Sequence, residues 1–281
     1  MVAFATLCWS TSGLFVRALP RLDSWTINAY RGLNLALVLG AWLIWRHQGQ
    51  FLRLMRTPER MAMFWFALFF ALGTSMYIAA IQLASVAAVA SLGATSALFA
   101  ALLGRFWLGE KTSVVFYGAI ALAMGGVFLI ASGEAKTSAN GMLGAIIALG
   151  VAFTFAIQSA SLRRYRDVPM EPAYVYGGVA VFGLVWLLVG VQSVTWQEYS
   201  LLLGMGAIQL ALPAHFYIRG ARHVTAVQMV LISMMDTVLN PLWVWLLVGE
   251  RPATVVYWGG SLILTAILAT TWWDSRRLAK V

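Results

Sequence analysis

Two long, almost charge-free runs flank a short Gly-Glu-basic break, and the whole arrangement occurs twice, 140 positions apart. Tyr77-Ile78 recurs as Tyr217-Ile218, Leu102 as Leu242, and Gly109-Glu110-Lys111 as Gly249-Glu250-Arg251. Val115, Tyr117 and Leu122 recur as Val255, Tyr257 and Leu262, while Ala67, Ala71 and Leu72 recur as Ala207, Ala211 and Leu212. Those are eleven identities in the fifty-six ungapped positions from 67 to 122. In an apolar chain that score is modest. The polar break at the same place in both copies is what makes it a duplication, and a repeat constrains architecture before local detail does.

The surrounding solvent follows from composition. The 281 residues are 61% hydrophobic and 10% charged, with a mean hydropathy of +0.82; a soluble domain carries about 25% charge. Ten spans are expected, at about 2–19, 23–45, 61–82, 85–106, 112–131, 141–162, 171–191, 198–218, 223–247 and 252–273. Each has the roughly 20 residues that cross a hydrocarbon core of about 30 Å. The loops between them are brief and polar. A single cysteine, Cys8, excludes an intramolecular disulfide, and the absence of a Cys/His cluster predicts no metal and no cofactor. No basic segment precedes the first apolar run, so no cleavable signal is expected.

Orientation follows from the basic residues. With the amino terminus inside, Arg46, Arg53, Arg56, Arg60, Arg105, Lys111, Arg163, Arg164, Arg166, Arg219, Arg222, Arg276, Arg277 and Lys280 are cytoplasmic. Only Arg17, Arg21, Lys136 and Arg251 face out, and Arg31 falls within a span. The net charge of +9 is therefore a topology signal, and nucleic-acid binding is excluded. Clusters at 46–60 and 163–166 suit anionic lipid headgroups.

Ten spans in two copies means five per copy, and an odd number inverts the second copy in the membrane. The fold class predicted is all-α integral membrane, with repeats at 1–138 and 139–281 and both termini cytoplasmic. Inverted repeats are an architecture of secondary transporters, with the substrate at the midplane between the copies and access alternating by rocking.

The residues also carry a family resemblance. Cys8-Trp9-Ser10-Thr11 followed by Arg17 and Pro20, Arg31 early in the second span, and Leu108-Gly109-Glu110 closing the fourth, with Gly249-Glu250 as its second copy, resemble the drug/metabolite transporter superfamily, EamA type. Within it the aromatic-rich chain is most similar to the YddG group of amino acid exporters. The resemblance implies export of amino acids across a bacterial inner membrane.

Asp236 leads the candidates, because it lies near the centre of the ninth span, where a carboxylate costs about 2.5–3.5 kcal/mol on insertion scales. It can bind a proton or attract a substrate ammonium; the plain alternative is a protonated Asp bonding between helices. His215 can titrate near neutrality or simply line or pack the pore. Tyr77 and Tyr217 occupy symmetric depths under the inversion and suit an outer and an inner gate, against the ordinary interfacial enrichment of Tyr. Pro213, and Asn240-Pro241, can kink their helices as bending points or be tolerated kinks. Trp9, Thr11, Ser91, Thr95, Phe99, Phe155, Gln158, Met235 and Asn240 complete a cavity expected among spans one, three, four, six, eight and nine. Any single hydroxyl there can equally be interhelical glue. Arg31 reads as a snorkelling or helix-pairing residue.

The function expected is an exporter of neutral or aromatic amino acids. A carrier of organic cations such as methyl viologen is the rival, using aromatic faces and Asp236. An intramembrane lipid-modifying enzyme would need paired acid/base groups, which the spans lack. The expected partners are a small-molecule substrate and membrane lipid; monomer and dimer both stay open.

Overall fold

A backbone in hydrocarbon must satisfy its own hydrogen bonds, which leaves helices and closed barrels as the spanning forms. A computed structural model describes residues 1–47, 59–83, 89, 92–110, 113–132, 141–249 and 254–278, and every regular element in it is helical. In chain order these are α1 (Val2–Trp9), α2 (Ser12–Arg17), α3 (Ser24–His47), α4 (Arg60–Leu83), α5 (Ser96–Trp107) and α6 (Val114–Ser132). Then follow α7 (Gly141–Arg164), α8 (Glu171–Leu188), α9 (Trp196–Gly204), a π-helical stretch Met205–Ala211, α10 (Leu212–Gly220), α11 (Ala226–Ser233), α12 (Asp236–Val248) and α13 (Thr254–Leu278).

Among the described residues, five helical stretches are long and apolar enough to cross a membrane: Ser24–His47, Arg60–Leu83, Met142–Arg164, Glu171–Leu188 and Trp196–Gly220. Shorter apolar helices lie at Val2–Val16, Ser96–Trp107, Val114–Leu129, Ala226–Leu239 and Tyr257–Thr270. Large apolar side chains such as Phe106, Phe128, Leu187 and Leu268 stand exposed on the outer surface. A water-soluble chain rarely tolerates so much exposed apolar surface. The chain is a multi-pass integral membrane protein.

Helix ends follow local rules. Thr195 and Glu198, and Thr225 and Gln228, form reciprocal capping boxes at the starts of α9 and α11. The repeated Gly-Glu break has its own geometry. Gly109 (φ 68°) and Gly249 (φ 81°) both adopt the left-handed conformation that ends a helix, which a side chain would strain. After Gly109 the Glu110 N–H turns back six residues to Gly104 O at 2.8 Å and satisfies one of the free carbonyls of the helix end.

The core pairs helices across the two halves of the chain. α3 packs most extensively on α8, α4 on α7, and α6 on α13; α4 also meets α8, α5 meets α7 and α11, and α1 meets α10 and α11. Small residues allow these approaches. A Cβ at Gly178 would collide with Gly32 O, and one at Gly32 would meet Gly178 O at 3.0 Å. Buried alanines (Ala97, Ala100, Ala101, Ala123, Ala156, Ala266) do the same around α5, α6 and α13.

Side-chain ties define two rims. At one, Arg21 makes a bidentate contact with Glu198 (2.7 and 2.6 Å), Thr26 Oγ1 accepts from the Gln192 N–H, and Trp25 Nε1 donates to Gln82. At the other, the ends of α5, α7 and α10 meet the start of α11.

Candidate functional site

Four stretches depart from regular α-helix where the core is deepest. The first apolar stretch breaks at Ser10-Thr11, whose hydroxyls turn back onto Leu7 O and Cys8 O at 2.7 Å each. Ahead of α5, the Thr95 N–H and Oγ1 both donate to Leu92 O (3.0 and 2.6 Å). Between α11 and α12, Met235 N–H donates to Ile232 O and Thr237 N–H to Met234 O, each 3.1 Å. These are tightened i→i+3 turns, a form that in mid-helix marks a hinge or a sequence under strain. The breaks before Ser96 and before Asp236 fall at corresponding places in the two copies of the repeat. The fourth departure is the π-helical stretch, where Leu212 N–H reaches back to Ala207 O. It ends two residues before Pro213, which has no N–H for the α-pattern and would crowd the carbonyl four residues back.

Tyr217 is the centre of one side of this region. It is 2% exposed, with ring centroids 4.8 Å from Trp9 and 6.4 Å from Phe155, and Trp9 lies 6.3 Å from Phe155. Its hydroxyl is 3.0 Å from Ser159 Oγ and accepts from Ser233 Oγ at 3.5 Å. Trp243 Nε1 donates to Ser10 Oγ at 2.8 Å, and Gln209 Nε2 approaches Trp9 O at 3.4 Å.

Toward the rim the seal continues. Arg163 Nε donates to Glu110 Oε1 at 2.9 Å, and Arg163 Nη1 donates to Ala221 O (2.9 Å) and Arg222 O (3.1 Å). Ala226 N–H points to Glu110 Oε2 at 3.4 Å, and Arg164 Nη1 caps Trp107 O at 3.0 Å. Glu110 thus ties the end of α5 to the end of α7 and the start of α11.

Tyr77, the repeat counterpart of Tyr217, is 42% exposed. The two tyrosines therefore differ sharply. Asp236 sits at the first residue of α12, and among the described residues its Oδ1 is buried without a hydrogen-bond partner, as are Arg31 Nε and Asn28 Nδ2.

Other candidates are placed differently. His215 contacts Glu171 Oε1 at 3.3 Å through Nδ1 and packs on Trp42 at 4.7 Å, on the far side of α10 from Tyr217. Gln158 Nε2 donates to Phe69 O (3.3 Å) and Thr154 O (3.0 Å), tying α7 to α4. Phe99 packs edge-on against Phe153 at 5.6 Å. Thr11 and Thr95 spend their hydroxyls on the breaks, and Met235 lies within one. Pro213 is buried. Ser91, Glu250 and Arg251 lie outside the described residues, as do the side chains of Asn240 and Pro241. Gln209, Ser159, Ser233 and Trp243 are participants that sequence reasoning missed; Gln209 and Trp243 were legible only as polar atoms inside apolar runs.

Comparison with known proteins follows this geometry. Residues 1–132 match the EamA-like transporter family, a match that ends close to the boundary expected between the repeats. Two curated relatives, both named pseudopaline exporter CntI, come from Pseudomonas aeruginosa strains UCBPP-PA14 and PAO1. Each is 27% identical over 181 residues, covering 62% of this chain and 62% of the relative. The chain thus aligns with under two thirds of the length of these relatives. One solved structure, described only as "Crystal structure of protein", superimposes with a TM-score of 0.83 at 19% identity, covering 99% of this chain and 97% of that one. It speaks to fold alone.

Proposed function

We propose that this protein is a secondary transporter that exports small zwitterionic metabolites, amino acids foremost, across a bacterial inner membrane by alternating access. The observation that carries the reading is the meeting of interrupted helices from both halves around Trp9 and Tyr217, with matching breaks before Ser96 and Asp236. Interrupted spans at matching places in two halves are the best local pointer to a transport site. In this reading the chain has ten spans, repeats at 1–138 and 139–281, and both termini in the cytoplasm.

The helix pairing supports the inversion. Exchange of the two repeats maps the α4–α7 contact onto the contact of α10 with α1, and the α5–α7 contact onto that of α12 with α2. The α3–α8 and α6–α13 contacts map onto themselves. Burial of Tyr217 behind the Glu110–Arg163 tie, with Tyr77 the more exposed of the two, supports an outward-facing conformation in this reading. Names of the relatives support export and add pseudopaline as a cargo to try.

The test is counterflow in proteoliposomes loaded with unlabelled phenylalanine, threonine or methionine, following the same labelled amino acid with and without a proton gradient. Counterflow without a gradient is the expected result and identifies a facilitator or exchanger. A gradient dependence adds proton coupling. Movement of methyl viologen alone, with no amino acid counterflow, replaces the amino acid reading with an organic-cation exporter.

A further inference from the structure

The break at Ser10-Thr11 has no counterpart in the other copy of the repeat. At the 140-position offset Ser10 corresponds to Gly150, and there α7 runs unbroken over Gly141–Arg164. The first copy instead ends α1 at Trp9 and restarts with Ser12. No proline stands at this point to force a break.

Two side chains from the far half of the chain grip the broken tip. Trp243 Nε1, on α12, donates to Ser10 Oγ at 2.8 Å. Ser10 is fully buried, and its own proton goes to Leu7 O at 2.7 Å, so one hydroxyl serves both bonds. Gln209, buried in the π-helical stretch, directs Nε2 at Trp9 O from 3.4 Å. The last carbonyls of a helix have no donor within it, and Gln209 supplies one from outside. Beside these bonds the Trp9 ring lies on Tyr217, with centroids 4.8 Å apart. Under the offset, Trp243 corresponds to Leu103. Gly150 and Leu103 carry no polar side-chain atom, so the inverted arrangement cannot make the Trp243–Ser10 bond.

We propose that Trp243 and Gln209 are positioning residues of the transport cycle. They fasten the tip of α1, hold the Trp9 ring on Tyr217, and keep that side of the site closed until the tip is released. The proposal rests on the transporter reading above and adds the step that uncovers its buried tyrosine. A bond made in only one of two states shifts their populations by its own free energy. Because the tie exists in one copy alone, it weights the two access states unequally, toward the one in which Tyr217 is covered.

The test is the rate at which N-ethylmaleimide labels Cys8 in the full chain, reconstituted in proteoliposomes. Cys8 is the only cysteine; it is buried and lies next to Trp9 on α1. Trp243→Phe keeps a ring and loses the N–H, and is expected to speed labelling about three- to tenfold, the scale of one hydrogen bond. Ser10→Ala is expected to do the same. The double variant should label no faster than the faster single variant, because both changes remove one shared bond. Gln209→Met keeps a similar volume without the donor and is expected to speed labelling about two- to fivefold. Gly178→Ala loosens the α3–α8 contact away from the tip and is expected to stay within about twofold of wild type. In counterflow of labelled phenylalanine, Trp243→Phe is expected to change turnover about threefold or more and leave KM within about twofold. Ser10→Ala carries the reading if Trp243→Phe does not elute as a single folded species.

Unchanged Cys8 labelling in Trp243→Phe and Ser10→Ala overturns the clamp, whatever cargo the protein carries. Equal acceleration in Gly178→Ala overturns it as well, because Cys8 then reports general loosening. Additive effects of the two single changes would show that they share no bond, with the same consequence. A raised KM at unchanged turnover places Trp243 on the cargo and removes its positioning role. Absence of amino acid counterflow in wild type overturns the amino acid reading itself, and the labelling series still decides the clamp.

Discussion

Glu110 and Arg163, 53 positions apart, meet at 2.9 Å with both side chains largely shielded from solvent. Glu110 is the acidic residue of the repeated Gly-Glu break, and the left-handed Gly109 before it aims its carboxylate back across the end of α5. The same carboxylate faces the first N–H of α11. A sequence signal of duplication is thus, in three dimensions, a tie between the two halves.

Replacing Glu110 with Gln keeps the shape and removes the charge. The expected loss is about 1–3 kcal/mol of stability in the closed rim, measured by thermal unfolding in detergent. In a Cys8→Ser background, a Ser159→Cys reporter lies just beneath Tyr217. A rim weakened by about 1.4 kcal/mol raises the open population about tenfold, so thiol labelling of the reporter should accelerate in Glu110→Gln. Unchanged labelling would show that the tie does not govern access to Tyr217.

The two tyrosines should respond differently to loss of the hydroxyl. Tyr217→Phe gives up contacts to Ser159 and Ser233 and is expected to cost about 1 kcal/mol; Tyr217→Ala, which also empties an aromatic cluster, about 3–5 kcal/mol. Tyr77→Phe should stay within about 0.5 kcal/mol, as exposed positions do. Denaturation in detergent reads all three, and the reverse order would contradict the buried and accessible assignments.

Two glycines on α8 make a matched pair. A methyl group at Gly178 runs into Gly32 O and Ala36, whereas one at Gly183 meets nothing within 4 Å. Gly178→Ala is expected to destabilise by about 1–3 kcal/mol through overpacking. Gly183→Ala is expected to be neutral or to gain about 0.4–1 kcal/mol from the stiffer unfolded chain. Equal unfolding temperatures for the two variants would rule out the close α3–α8 approach.

Local ties at the two rims should differ in size and in salt response. Thr225→Ala removes a capping box from α11 and is expected to cost about 0.5–2 kcal/mol at any ionic strength. The Arg21–Glu198 pair involves a half-exposed guanidinium (53%), so Arg21→Ala should cost less than Thr225→Ala, and less still as salt rises. Melting at low and high salt separates them.

Much of the outline is legible in the order of residues. Thr195-x-x-Glu198 and Thr225-x-x-Gln228 announce helix starts because a cap needs only neighbours in sequence. Gly109 and Gly249 announce helix ends because a left-handed residue is a local demand. The break before Asp236 was less plain, since the turn there has no proline or glycine to mark it.

The candidate site was legible only in part. Tyr217 stood out by its repeat partner, and the structure surrounds it with Ser159 and Ser233, two serines that any apolar helix might carry. His215, equally conspicuous in sequence, is turned to Glu171 and Trp42 because it lies on the opposite face of α10. Arg31 read as a helix-pairing residue, and the structure gives it Asn28, one turn back on its own helix, at 3.4 Å.

Sequence by itself determined the helical class and the apolar solvent, because hydropathy, backbone self-satisfaction and helix caps act over a few residues or over composition. Which polar atoms find partners was decided by tertiary structure alone. Arg163 meets Glu110, Ser10 meets Trp243, and Tyr217 meets Ser159, because those outcomes depend on how helices far apart in the chain are rotated against one another.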